Sequence, residues 1–171
     1  MFRSLATLLC LLLLGGCASV PDTLRPVSET ALLPFADAGV VSPPAEARWG
    51  GEIAAVRNQA QGSEIEVVQF QLNASGRPLK SDASAGRFRI RIPGFIDPVI
   101  YANGRLVTAL GNFTGMEQGK VDAQPYSFPI LETESVHLWP EIKDPPERCD
   151  CDPFFHSPFM MRPIIVVPAR D

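Results

Sequence analysis

The chain has 171 residues, and its 15 basic and 19 acidic side chains give a formal net charge of −4 at pH 7. This acidic balance excludes a protein whose overall charge attracts nucleic acid or another polyanion. Five prolines fall in residues 18–47 and seven in residues 140–171, which leaves one central domain with room for a single small core.

The first seventeen residues have the composition of a secretory leader. Arg3 provides a positive charge, residues 5–14 are predominantly apolar, and two glycines precede Cys17. Ten such residues are too few to cross a bilayer as a mature helix, so the segment is predicted to be a signal peptide. One interpretation is ordinary cleavage near Ala18, with the cysteine incidental.

The other interpretation is lipidation, because Leu14-Gly15-Gly16-Cys17 resembles the lipobox of bacterial lipoproteins. The resemblance implies removal of residues 1–16, a diacylglycerol thioether on Cys17, and an acyl chain such as palmitate on the new amino group. In such lipoproteins an Asp after the cysteine tends to retain the protein at the inner membrane. Ala18 therefore favours a lipid anchor in the outer membrane of the cell, with the folded domain facing the periplasm.

Residues 17–47 are predicted to be a lipidated N-terminus followed by a Pro-rich tether, since no helical or strand period persists there. Its apolar residues Leu32, Leu33 and Phe35 are candidates for packing against the domain. At the other end, residues 141–171 are predicted to be a Pro-rich tail without a regular helix.

Between the tether and the tail, residues 48–140 are predicted to form a mainly β domain. Apolar runs predict strands at Trp49–Arg57, Glu64–Leu72, Arg87–Ile92, Leu106–Phe113 and Ser135–Trp139. In the second run the inward face changes phase after Val67, which predicts a β-bulge. Residues 115–119 are predicted to form a turn.

A short helix is predicted between the third and fourth strands. Asp97-Pro98 has the pattern of an N-cap followed by proline at the first helical position, and Asn103-Gly104 has that of a left-handed stop. Residues 99–102 therefore make little more than one helical turn. This order of elements predicts a small OB-like five-stranded barrel with one short helix, and a flattened β-sandwich is the alternative fold.

Five short motifs within the predicted domain recur in the same order in a known family. They are Arg48-Trp49-Gly50-Gly51-Glu52-Ile53, Gly94-Phe95-Ile96-Asp97-Pro98, residues 104–111, Pro125-Tyr126 and His137-Leu138-Trp139-Pro140. On these motifs and the lipobox upstream, the chain resembles the Slp family of starvation-inducible outer-membrane lipoproteins. The approach to Arg48 and the tail after Pro140 depart from the family's pattern.

The resemblance to the Slp family implies a stationary-phase or envelope stress role and no established enzymatic activity. It implies no cofactor besides covalent lipid on Cys17. The implied partner is the outer-membrane bilayer, with lipopolysaccharide, peptidoglycan or other envelope proteins as further candidates and no nucleic acid.

Arg87, Arg89 and Arg91 alternate along one predicted strand and are the candidate ligand-binding residues, together with Trp49. Guanidinium groups spaced about 6.5 to 7 Å apart on one strand face suit the phosphates or carboxylates of an envelope glycan or lipid. The alternative is a structural surface, in which the arginines pair with the acidic side chains of the preceding strand and Trp49 covers the core.

Cys149 and Cys151 are the two thiols that remain once Cys10 leaves with the leader and Cys17 is lipidated. In an oxidising compartment they are predicted to form a disulfide, within the chain or between chains, and free thiols are one alternative. A metal site with His156 is another alternative, although its spacing lacks a second regular pair of ligands.

No nucleophile elbow, HExxH pattern, phosphate-binding loop or Ser/His/Asp arrangement is present in the sequence, and no catalytic residue is assigned. With two histidines in the whole chain, general base catalysis by histidine is not expected. The leading hypothesis is a non-enzymatic outer-membrane lipoprotein. An envelope-ligand binding module and a redox or metal-binding lipoprotein are the alternatives.

Overall fold

The computed structural model describes residues 19–26 and 31–142 of the chain. Two 3₁₀ helices, Asp22–Leu24 and Phe35–Asp37, precede six strands. The strands are β1 (Ala45–Gln59), β2 (Gly62–Gln69), β3 (Arg87–Ile92), β4 (Leu106–Val121), β5 (Gln124–Glu132) and β6 (Val136–Leu138). Residues 142–171 form a separate unit, of which Ile142 alone is described. In the described part, no helix has the length and apolar character needed to cross a membrane.

Five of the strands close into a ring. β1 pairs with β2 through residues 51–59 and with β4 through residues 45–52, so this long strand joins the two ends of the sheet. The order around the ring is β1-β2-β3-β5-β4, and β3 and β5 are its parallel neighbours. β6 pairs with β4 outside the ring. The mainly β class and the ring of five strands are confirmed, whereas kinship with OB barrels stays a prediction.

The two glycines of the Arg-Trp-Gly-Gly motif lie where β1 changes partners. Gly51 is opposite Val107 of β4 on one side and opposite Gln69 of β2 on the other. A Cβ on Gly51 would lie 1.8 Å from the carbonyl oxygen of Val68, so a larger residue does not fit. The motif therefore permits a close backbone approach, and it lies inside β1 rather than at its start.

The predicted β-bulge occurs in β1 and β4 instead of β2. The register shifts between Ile53 and Ala55 in β1 and between Phe113 and Gly115 in β4, while β2 keeps a continuous register with β3. The prediction of a bulge in the second strand is therefore wrong. The phase change after Val67 instead marks the approach to the end of β2, which follows two residues later.

Residues 115–119 continue β4 instead of forming the predicted turn. β4 forms a hairpin with β5, a strand that was not predicted because Pro125 and Pro129 interrupt its pattern. β3 pairs with β5 through residues 130–132, so both prolines lie where none of the described strands pairs with β5 on that side. The prolines therefore remove no donor from that ladder.

The predicted short helix is a single hydrogen-bonded turn. The carbonyl of Asp97 accepts the N–H groups of Ile100 and Tyr101, and its carboxylate accepts the N–H of Val99 at 2.8 Å. The cap predicted at Asp97 is present. The helix does not form, because the chain reverses at Gly104, where φ is +87°, after too few residues.

Part of the predicted tether packs on the barrel. Leu33 is 8% exposed, and the ring of Phe35 lies 5.3 Å from that of Trp49. Leu32 is only partly buried. Leu24 is fully buried, which the sequence did not predict. The segment before β1 therefore contributes to the core as well as connecting it to the leader.

The core is aromatic at its centre. The rings of Phe35, Phe88 and Phe113 surround the indole of Trp49 at centroid distances of 5.3, 5.6 and 5.7 Å. Aliphatic side chains fill the rest of the interior: Ile53, Ile65, Val67, Ile90, Val107 and Leu131. Because side chains fill the ring, its chemistry toward other molecules lies on the outer surface.

Candidate functional site

The outer faces of four strands carry a group of charged side chains that we call the arginine–glutamate cluster. Strand alternation directs these side chains outward while their neighbours in sequence fill the core. In the β2–β3 ladder, Glu64 is opposite Arg91 and Glu66 is opposite Arg89. The members of the cluster are Arg57, Glu64, Glu66, Arg87, Arg89, Arg91 and Glu117.

Glu66 is held between two guanidinium groups. Its carboxylate lies 2.8 Å from Arg87 Nη1 and 3.3 Å from Arg57 Nη1, and its side chain is 5% exposed. An almost buried carboxylate requires such partners because desolvation disfavours its charge. The backbone N–H of Arg87 donates to the hydroxyl of Tyr126 at 2.8 Å, which connects the start of β3 to β5.

Arg89 and Arg91 share the other two carboxylates. Arg89 Nη1 lies 3.1 Å from Glu117 Oε1, and Arg91 Nε lies 3.4 Å from Glu64 Oε2. A hydrogen bond from Arg91 to the Glu117 carboxylate raises the pKa of Arg91, and burial partly opposes this effect. Arg89 also lies over the ring of Phe128, 3.9 Å from its centroid, in cation–π geometry.

These contacts favour the structural interpretation of the three arginines. Arg87, Arg89 and Arg91 all contact carboxylates, and the side chain of Arg89 is 11% exposed. A phosphate or carboxylate ligand would compete with these carboxylates for the same guanidinium groups. Pairing with Glu64 and Glu66 is observed, whereas binding of an envelope ligand by the arginines stays a prediction.

Trp49 belongs to the core. It is 2% exposed, and its indole N–H donates to the carbonyl oxygen of Leu33 at 2.9 Å. The ring offers no face on which a sugar or a lipid could stack, because Phe35, Phe88 and Phe113 occupy its surroundings. The prediction that Trp49 contributes to a ligand site is therefore wrong, and its interpretation as the apolar cover of the core is the one that fits.

A cleft of about 720 Å³ opens beside the cluster. Its wall includes Arg91 and the acidic side chains Glu46, Glu132 and Glu134, and the described lining contains neither histidine nor cysteine. Within residues 19–26 and 31–142, no group of three or more His, Cys, Asp or Glu side chains is arranged to hold a metal ion. The cleft is a polar recess between charged strands.

Four of the predicted site residues lie outside the described part of the chain: Cys17, Cys149, Cys151 and His156. Lipidation, the disulfide and the metal site therefore stay predictions. The other histidine of the chain, His137, lies in β6, and its ring packs edge-on against Trp139 with the centroids 4.4 Å apart. Desolvation by this packing lowers the pKa of His137.

Two members of the cluster, Arg57 and Glu117, were not predicted, nor were its contacts with Tyr126 and Phe128. The sequence did contain one signal. Acids occupy every second position at 64 and 66, arginines occupy every second position at 87, 89 and 91, and β2 and β3 pair through these residues. Sequence pattern could not connect Glu117, because the residues around it were assigned to a turn.

Residues 14–165 match a family model described as Outer membrane lipoprotein Slp family. The chain is 33% identical over 152 residues to the uncharacterized lipoprotein YeaY of Escherichia coli (strain K12), covering 85% of this chain and 77% of that protein. It is 27% identical over 131 residues to the outer membrane protein Slp of the same strain, covering 74% and 69% of the two chains. No solved structure gives a significant match.

Proposed function

The chain belongs to the outer membrane lipoprotein Slp family, and on this premise we propose that acyl chains on Cys17 anchor it with its barrel facing the periplasm. Its proposed role is non-enzymatic support of the cell envelope in stationary phase or under envelope stress. Covalent lipid is the only added group that this role requires, and the outer-membrane bilayer is its partner.

The extent of the family match is the observation that carries the proposal. The match begins at residue 14 and therefore includes Leu14-Gly15-Gly16-Cys17, which has the pattern of a lipoprotein processing site. The positive charge of Arg3 and the apolar residues that follow it fit the export signal that such processing needs. One mechanism thus accounts for the leader, for the cysteine at its end and for the outer-membrane family.

The energetics of acyl chains support attachment through Cys17. Each buried methylene contributes about 0.8 kcal/mol, so one chain holds a protein reversibly while two or more hold it stably. A diacylglycerol thioether and an amide-linked chain on the same residue supply this number. The core does not need the bilayer, because the apolar side chains that form it pack against one another inside the ring.

The surface chemistry supports a non-enzymatic role. In the arginine–glutamate cluster, cations and carboxylates neutralise one another, as at Arg87 and Glu66. General acid–base or nucleophilic catalysis instead needs a group whose reactivity is directed at a substrate. The cluster is therefore better suited to holding strands together than to chemistry.

Replacement of Cys17 tests the anchor. In wild-type protein isolated from membranes, we expect an intact mass that corresponds to cleavage before Cys17 plus three acyl chains. Cys17→Ser should carry no acyl chains and should not incorporate an alkyne-labelled fatty acid. Cys10→Ser is the matched control, since it removes a thiol from the leader and should leave the mature mass unchanged. A bare thiol at Cys17 in the wild type would contradict the proposal.

The same variants test the role in the envelope. In a strain that lacks the gene, wild type and Cys10→Ser should restore survival in stationary phase under detergent stress, and Cys17→Ser should not. Equal rescue by Cys17→Ser would show that the role does not depend on the anchor. A deletion strain that survives as well as its parent would contradict the stress role.

A further inference from the structure

The loop between β3 and β4, residues 93–105, exposes large apolar side chains. Phe95 is 75% exposed, Val99 is 83% exposed and Ile100 is 53% exposed. Three such residues within six positions of one loop are unlike the scattered single apolar residues of an ordinary protein surface. Clusters of this kind mark surfaces that contact an apolar partner.

The loop is held firmly in this orientation. Ile96 lies between the exposed residues in sequence but is 8% exposed, because it inserts into the core. Its N–H donates to Ser63 Oγ at 3.1 Å, and its carbonyl accepts from Asn58 Nδ2 at 2.9 Å. At the other end of the loop, the N–H of Gly104 donates to the carbonyl of Ile53. Burial of Ile96 thus fixes its neighbours on the outside, and stability of the fold does not require them to be apolar.

The loop lies near the point where the lipidated N-terminus reaches the barrel. Leu24 is fully buried, and its Cδ1 lies 3.4 Å from the position that a Cβ on Gly76 would occupy. The carbonyl of Gly76 accepts a hydrogen bond from Thr108 Oγ1 at 2.8 Å. Thr108 follows the last loop residue, Arg105, by three positions, or about 10 Å of strand. The Arg48 guanidinium, opposite Leu110 in the ladder, donates to the carbonyl of Leu24, so Leu24 lies over the first half of β4, the half that the loop leads into.

The length of the tether limits how far the barrel can lie from the membrane. Six residues lie between Cys17 and Leu24, and the seven steps of an extended chain from one to the other span at most about 25 Å. An anchor on Cys17 would thus hold this side of the barrel against the lipid headgroups. The apolar loop that leads into β4 is then within reach of the bilayer.

We propose that Phe95, Val99 and Ile100 enter the interfacial region of the bilayer as a second, noncovalent membrane contact that orients the barrel. This inference rests on the proposed anchor at Cys17. Aromatic and branched side chains at the boundary between headgroups and acyl chains are the usual contacts of proteins that lie on a membrane. The carboxylate of Asp97 is exposed and accepts the N–H of Val99, so the contact is confined to a depth at which this charge stays among the headgroups.

Brominated lipids test this contact in the acylated full-length chain. Phe95→Trp introduces an exposed indole, while the native Trp49 and Trp139 are 2% and 8% exposed. The variant is reconstituted on vesicles of phosphatidylethanolamine with a minority of phosphatidylglycerol, with and without bromine on the acyl chains. We expect bromine to quench most of the emission that the Phe95→Trp substitution adds.

Val40→Trp is the matched control, because Val40 is also 83% exposed but lies before β1. β1 begins opposite Phe113, whereas the loop leads into β4 at Leu106, so the two positions adjoin opposite ends of one ladder, about 23 Å apart. The emission added by Val40→Trp should stay unquenched by brominated lipid and remain open to acrylamide.

Flotation of the same vesicles separates the two proposals. Loss of flotation would overturn the anchor and, with it, the oriented contact. Flotation without quenching of Phe95→Trp would overturn the membrane contact alone. If energy transfer between labelled copies replaced lipid quenching, the loop would bind a second copy of the chain, and the bilayer contact would again be overturned.

Discussion

The two faces of β3 are both covered, but by different means. On the inner face, Phe88 and Ile90 are fully buried among apolar side chains. On the outer face, the side chains of Arg87 and Arg89 are 33% and 11% exposed and contact carboxylates. One strand is thus held on one side by removal of apolar surface from water and on the other by paired charges.

The difference shows how charged side chains on the outside of a small barrel add contacts between its strands. A domain of this size buries a limited amount of apolar surface, so its interior alone leaves it marginally stable. The arginine–glutamate cluster adds a second layer outside the ring, which connects β1, β2, β3 and β4 through side chains. The two layers should respond differently to substitution, salt and pH.

The inner layer should tolerate truncation least. Phe88→Ala removes a ring that lies 5.6 Å from that of Trp49 and 5.8 Å from that of Phe35, and it leaves a cavity. We expect the free energy of unfolding to fall by about 3–5 kcal/mol, measured by urea denaturation. Arg87→Ala, at the adjacent outward-facing position, should cost about 1–2 kcal/mol, because its side chain is partly solvated and Arg57 still pairs with Glu66. Equal losses for the two variants would contradict the distinction between the layers.

The outer layer should depend on salt. Glu66→Gln keeps the shape of the side chain but removes the charge that Arg57 and Arg87 share. We expect a loss of about 1–2 kcal/mol at low ionic strength, and a smaller loss as salt screens the wild-type pairs. Urea denaturation at two salt concentrations measures both. Glu117→Gln is the control: its side chain is 42% exposed, so it should cost less, and salt should remove a larger share of that cost. A Glu66→Gln loss as small as that of Glu117→Gln at both salt concentrations would mean that the Glu66 ion pairs contribute little.

The effect of pH on stability through His137 in β6 should be smaller than the effects of the substitutions above. Because desolvation lowers the pKa of His137, the unfolded chain binds a proton more readily than the folded one. Stability from the neutral ring is therefore present above the ordinary histidine pKa of about 6.5, and it declines as pH falls below that value toward the lower folded pKa. His137→Gln should flatten this part of the curve in thermal unfolding between about pH 5 and pH 7. Identical pH slopes in the two proteins would contradict the effect.

Local patterns sufficed to predict the parts of the fold that depend on alternation. β3 runs over Arg87–Ile92 as predicted, because three apolar and three charged residues alternate without interruption. The ring has as many strands as the sequence predicts, but one member differs, because the run at Ser135–Trp139 forms β6 outside the ring and β5 takes its place. The hairpin of β4 and β5 could not be predicted, since Pro125 and Pro129 interrupt the strand pattern of β5. These prolines are tolerated because β3 pairs with β5 only through residues 130–132, beyond both of them.

Within the candidate site, the pairs between the adjacent strands β2 and β3 could be predicted from sequence. The contacts with residues of β4 and β5 could not. Acids at 64 and 66 and arginines at 87, 89 and 91 indicate adjacent strands, and Glu64 and Glu66 pair with β3 as the alternative interpretation stated. Trp49 could not be placed from sequence, because a tryptophan beside two glycines is compatible with either face of a strand. Its burial depends on Leu33 and Phe35, which come from a segment without any regular pattern.

If acyl chains on Cys17 hold the protein at a membrane surface, as proposed, the pairing of β1 on both of its edges affects how neighbouring copies meet. Molecules held on a surface meet in two dimensions, at a high effective concentration. An open sheet edge would let neighbouring copies join strand to strand and begin to polymerise. β1 gives one edge to β4 along residues 45–52 and the other to β2 along residues 51–59, so each of its edges is paired over part of the strand. β6 and residues 124–129 of β5 pair with β4 on one side and with no described strand on the other, so crowded copies would meet at these edges rather than along the paired parts of β1.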